Sequence, residues 1–173
     1  TTTARKIAYA SALVTNTHGV DAAVLAEMLQ NSASPEKFAR GIVCHPSGIV
    51  RKLCTQLKQC GGAVVERRGK VAATLKSLVH LAGAGAIPDL SPFLCLVDML
   101  SPDHGHIRSY KDHAFRRTCL QILAETVTHI PQDLVRHGAI DVLRAQDFAS
   151  YDSLGASLAG QVLRKMTNEM MVR

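Results

Sequence analysis

Histidine and cysteine carry most of the chemical reach in this chain, with eight of the first and five of the second. Their spacing is therefore the first test for reaction chemistry. His104-Gly105-His106, with Asp103 before it and His113 beyond, offers two or three donors from one polar stretch. A zinc site asks for four donors on rigid elements, so a solvated loop without metal is the expectation. Cys44-His45, and Cys119 with His113, set a nucleophile near a base in sequence. Adjacent positions on a helix diverge, and activation needs hydrogen-bond contact. Gly83-Ala84-Gly85 has no preceding strand and no Lys-Ser/Thr to grip phosphate and magnesium. Asp89, Asp98, Asp103, Asp133 and Asp141 are scattered and suit helix caps or solvent. The chain therefore reads as non-enzymatic, without metal or cofactor.

The elements that must position any site are clearest between Lys70 and Leu100. Val71, Leu75, Leu78, Val79 and Leu81 recur at three- and four-residue steps, one stripe of a helix with Lys70, Lys76 and Ser77 away from it. Gly83 and Gly85 break that helix. Pro88 stands where a second helix can open, and Leu90, Phe93, Leu94, Val97, Met99 and Leu100 rebuild an apolar face. Further on, Ala114 to His129 carries Leu120, Leu123, Val127 and Ile130 in phase. Pro131, a short LVRHG and Gly138-Ala139-Ile140 follow, leading into Val142 and Leu143.

Toward the start, a helix over Ala4 to Asn16 has Ile7, Ala8, Ala10, Leu13 and Val14 inward, and an Asn-Thr-His-Gly turn stops it. Asp21 caps a second helix running to Gln30. Ser34 caps a third, with Pro35 at its first position, which reaches about Cys44 before Pro46 ends it. A fourth begins at Ser47 and closes at Cys60-Gly61-Gly62. The span Gly62 to Gly85 offers one long helix, and a last helix runs from Tyr151 or Ser153 to Met170.

Composition narrows the class. With 47% hydrophobic residues and no apolar run near 18 residues, the chain builds a core and has no membrane span. At 4% aromatic and no Trp, that core is Leu, Val, Ile and Ala, which suits close helix stacking. No convincing alternating segment appears, so the class is all-α with no sheet. Cys44, Cys54, Cys60, Cys95 and Cys119 are odd in number and mostly lie in apolar stretches, as reduced, mostly buried thiols of an intracellular, cytoplasmic protein do. The net charge of +6 favours acidic partners. Its cations include the pairs Arg67/Arg68 and Arg116/Arg117, with no run longer than two.

Gly85-Ala86-Ile87 recurs as Gly138-Ala139-Ile140, 53 positions later. With GAIPDLSPFLCLVDML and PQDLVRHGAIDVLRAQ, the chain over Val64 to Met171 resembles the armadillo repeat family, whose unit is three helices of roughly 40–47 residues. The resemblance implies one armadillo-like domain over residues 1–173, a right-handed superhelical stack, read as a portion of a longer protein. The polar stretch Ser101 to Asp112 is expected to be a mobile insertion that lengthens the repeat spacing. It also implies a protein-interaction scaffold whose long third helices line a concave groove for an extended peptide or helix. Aligning Leu75-Leu78-Leu81, Leu120-Leu123-Thr126 and Gly160-Leu163-Met166 puts Lys76, Gln121 and Gln161 where nuclear import adaptors carry Trp. His80, Glu125 and Lys165 fall where they carry Asn. Both clamp residues are absent, so an import adaptor is not expected, and these six residues are the expected partner-binding positions. The alternative is a basic surface that grips acidic tubulin tails of the cytoskeleton or nucleic acid.

Overall fold

The computed structural model describes residues 2–16, 19–60, 65–101, 112–145 and 152–172. Within them the chain is helical, apart from an antiparallel pair of two-residue segments, β1 (Thr15–Asn16) and β2 (Gly19–Val20). The all-α class therefore stands. Helix α1 (Thr2–Val14) turns Ile7, Ala10 and Val14 inward and stops short of Asn16 because Thr15 enters the extended pair. Gln56 completes that pair from a distance: its side-chain carbonyl accepts the Val20 amide at 2.7 Å and its NH2 donates to the Val20 carbonyl at 2.9 Å. A short edge gains there the partners that backbone polar groups require.

Asp21 caps α2 (Ala22–Asn31), accepting the Val24 amide at 3.2 Å. Helix α3 (Pro35–Cys44) follows Ser34, yet the Ser34 side chain makes no capping bond. The Ser34 amide is held instead by the Ser32 hydroxyl, and Pro35 supplies no amide of its own to cap. Gly48, at φ +66, turns the chain into α4 (Ile49–Cys60). Helix α5 (Val65–Ala82) then buries Val71, Leu75, Leu78 and Val79, each buried Leu contributing about 1.5–3 kcal/mol. Gly83, at φ +81, ends it ahead of a 3-10 turn, Ala84–Ala86.

Pro88 does not open the next helix. The Asp89 carboxylate accepts the Ser91 amide at 3.0 Å, a local turn that competes with helix. Helical structure begins instead with the 3-10 turn Ser91–Leu94, where Pro92 sits in the first turn, and passes into α6 (Cys95–Leu100). Beyond come α7 (His113–Thr126), α8 (Pro131–Arg136), α9 (Ala139–Arg144) and α10 (Ser153–Val172). Gly138, at φ +85 between α8 and α9, repeats the role of Gly48 between α3 and α4.

Packing arranges these helices in two rows. Helix α5 lies against α2 and α7, and α7 lies against α10. Helix α4 meets α6 and α6 meets α9, forming a second row. One core cluster extends from Ile7 to Met166. Two ion pairs stitch the first row. Arg68 of α5 reaches Asp112 at 2.7 Å, its guanidinium 4.0 Å above the Phe115 ring. Arg117 of α7 holds Asp152 ahead of α10. Cys54, Cys95 and Cys119 are buried free thiols, whereas Cys44 is exposed at the end of α3. Burial pushes the Cys119 thiol up. No helix among the described residues is long and apolar enough to cross a membrane.

Candidate partner-binding face

The six positions drawn from the sequence lie on three helices that pack in series. Lys76 and His80 are one turn apart on α5, Gln121 and Glu125 on α7, and Gln161 and Lys165 on α10. An i, i+4 step keeps each pair on one helix face. Lys76, His80, Gln161 and Lys165 are exposed, and Gln121 and Glu125 are half-buried between them. Contacts run across both seams. The His80 Nδ1 lies 2.8 Å from Glu125 Oε1, joining α5 to α7. Lys165 Nζ donates to the Ala124 carbonyl at 3.2 Å, joining α10 to α7. The six side chains thus share one polar, solvent-facing side of the row.

That polarity follows from packing. On α7 the opposite side carries Cys119, Leu120, Ile122, Leu123 and Thr126 into the core, so Gln121 and Glu125, which fall off that stripe, are left only half-buried. Sequence reasoning missed Arg164 and Asn168 on α10, both exposed and within one turn of Gln161 or Lys165. The signal was available: extending the helical frame past Lys165 by three residues reaches Asn168. The face is mostly cationic. Lys76, Arg164 and Lys165 outnumber the two carboxylates near them, Glu125, which His80 already engages, and Glu169, half-buried one turn beyond Lys165.

The arginine pairs behave differently from their appearance in sequence. Arg68 is fully buried against Asp112 and Phe115, Arg116 is buried, and Arg117 is spent on Asp152. Arg67 alone of the four is exposed, and it has no such partner among the described residues. The pairs therefore do not present four guanidinium groups to a polyanion. Asp112, expected at the end of a polar insertion, is likewise buried with Arg68. The rest of that stretch, residues 102–111 with His104 and His106, lies outside the described residues.

Asp152 shows how the row is registered. Its Oδ1 accepts Arg117 Nε at 2.8 Å and the Gly155 amide at 3.0 Å, so one carboxylate caps α10 and binds it to α7. Burial opposes its ionisation, but the Arg117 hydrogen bond, the Gly155 amide and the guanidinium charge outweigh that, and its pKa is lowered. His137, which ends α8, places Nε2 2.9 Å from Asp98 Oδ1 of α6, joining α8 to the second row.

Among the described residues no group of three His, Cys, Asp or Glu side chains is placed to hold a metal ion. A hollow of about 560 Å³ between α1, α2 and α3 is lined by Ala10, Val24, Met28 and Phe38 with Lys6 and Glu27. Comparison with known proteins adds no identity: no family model, no curated protein and no solved structure matches this chain.

Proposed function

We propose that this chain is a non-enzymatic protein-interaction module of armadillo-like build, which receives an extended peptide or a helix of a partner across α5, α7 and α10. The observation that carries the reading is the side-by-side packing of those three helices, with His80, Glu125 and Lys165 meeting across their seams. Two further features support a repeated three-helix unit. Gly48 and Gly138 both take positive φ at the corner between a short helix and the next, and α4, α6 and α9 follow one another as a second row. The right-handed superhelical course is part of the proposal. So is a cytoplasmic setting, where reducing conditions keep thiols such as Cys44, Cys54, Cys95 and Cys119 free.

Changing Lys76, His80, Gln121, Glu125, Gln161 and Lys165 together to Ala tests the reading. Exposed substitutions usually stay within about 0.5 kcal/mol each, so the variant is expected to fold with a Tm close to the parent while partner capture falls. A second variant, Arg67→Ala with Lys70→Ala, serves as the comparison on the flank of α5. Undiminished capture by the six-residue variant would remove the face from consideration, and loss confined to the flank variant would move the site there.

A further inference from the structure

We propose that the occupant of this face is an acidic extended segment of a protein, an inference that rests on the interaction-module reading and adds the chemistry of the partner. The charge balance carries it. Lys76 on α5 and Arg164 and Lys165 on α10 flank the middle helix; of the two carboxylates near them, Glu125 is turned to His80 at 2.8 Å and Glu169, one turn beyond Lys165, is half-buried, so cations remain in excess. Lys76 and Arg164 are exposed and make no ion pair within the described residues. Among the described residues Lys165 is held only by a neutral carbonyl, that of Ala124. The cationic ends of these side chains are therefore free to meet carboxylates.

Between the cations stand side-chain amides. Gln121, Gln161 and Asn168 each offer both a donor and an acceptor, the pair of groups that an extended peptide backbone presents. Neighbouring helices sit about 8–10 Å apart, so three span roughly 20 Å, and an extended peptide of about seven residues crosses them. Acidic residues near its two ends would then reach Lys76 and the Arg164/Lys165 pair, with the middle lying over Gln121. Nucleic acid fits less well. Single strands are held by aromatic platforms on which bases stack, and no aromatic side chain of α5, α7 or α10 lies on this side: Phe115 is buried beneath Arg68.

The test uses fluorescence anisotropy with four labelled probes: (Glu-Ser)6, (Gln-Ser)6, (Lys-Ser)6 and the oligonucleotide (dT)12. Two double variants change net charge equally. Lys76→Glu with Lys165→Glu alters the face, whereas Arg40→Glu with Arg144→Glu alters exposed positions on α3 and α9. Thermal melts confirm that both fold. The expected result is that (Glu-Ser)6 binds best, that the face variant weakens it about tenfold, that the distal variant stays within about twofold, and that added salt weakens binding. Equal weakening by both variants would mean diffuse attraction and overturn the proposal, as would tighter binding of (dT)12. Preference for (Gln-Ser)6 or (Lys-Ser)6, lost in the face variant, overturns the acidic partner while leaving the face as a binding surface. Failure of every peptide to bind in a way that depends on the face overturns both.

Discussion

Replacing Arg68 with Met removes a fully buried guanidinium and leaves the Asp112 carboxylate without the partner that stands 2.7 Å away. Deleting one member of a buried pair strands the other charge, so a loss of about 3–5 kcal/mol is expected. Urea unfolding measures it, and a loss under about 1 kcal/mol would show that Asp112 regains its solvation cheaply. Asp152 gives the matching acid-side prediction. Its folded pKa lies below the ordinary aspartate value, so the folded state binds its proton less readily than the unfolded chain does. The stabilisation is then complete above about pH 4 and is lost as pH falls through the depressed folded value. Asp152→Asn keeps a capping oxygen for the Gly155 amide but removes the charge paired with Arg117, so it should lower stability near neutrality by about 1 kcal/mol and flatten the acid limb of the stability curve. A variant with an unchanged acid limb would assign that limb to other carboxylates.

Helices whose apolar period is long and whose ends carry specific residues were legible from sequence. The stripe Leu75, Leu78, Val79 is the buried stripe of α5, and Asp21 caps α2 as its position suggests. Corners were harder. Gly48 plays the part of Gly138, but Ser47-Gly48-Ile49 lacks the Gly-Ala-Ile triplet, and a positive φ leaves no periodic trace. Pro88 was read as a helix start because a proline can occupy that place, whereas the Asp89 to Ser91 hydrogen bond holds a turn until Pro92. The burial of Asp112 depends on Arg68, 44 positions away, and no local pattern announces such a partner. Nor does spacing report burial: the armadillo resemblance selected six face positions by alignment, and the contacts of His80, Glu125 and Lys165 across two seams depend on helix packing. The corner glycines yield a clean prediction. A Cβ at Gly48 or Gly138 meets nothing within 4 Å, so the penalty of Gly48→Ala or Gly138→Ala is backbone strain, about 1–2 kcal/mol. Asn should recover part of that loss. Equal destabilisation by Ala and Asn, measured by thermal melting, would point to a cause other than the dihedral.

At the scale of the molecule, the rows decide how damage spreads. Helix α10 closes on α7, α8 and α9, while α2, α3 and α4 gather around α5. In stacked helical arrays each unit is stabilised mainly by its neighbours, so local opening remains near the lesion. Val162 is buried on α10 and Leu75 is buried on α5, and truncating each opens a cavity at one point of the row. Val162→Ala should speed amide hydrogen exchange in α10, α8 and α9 and leave α2, α3 and α4 protected. Leu75→Ala, at a typical cost of about 2–5 kcal/mol, should raise exchange on both sides, because α5 joins the early helices to α7. The buried thiols report the same contrast by chemistry. Cys44 is exposed and should react with a bulky thiol reagent in the native state, while Cys54, Cys95 and Cys119 wait for opening. Cys54 lies on α4 and should become faster in Leu75→Ala but not in Val162→Ala, whereas Cys119 on α7 touches both neighbourhoods and should respond to each. Uniform acceleration of all amides and all three buried thiols by Val162→Ala would mean that the stack opens as one unit, and the series of nearest-neighbour interfaces would have to give way to a single cooperative core.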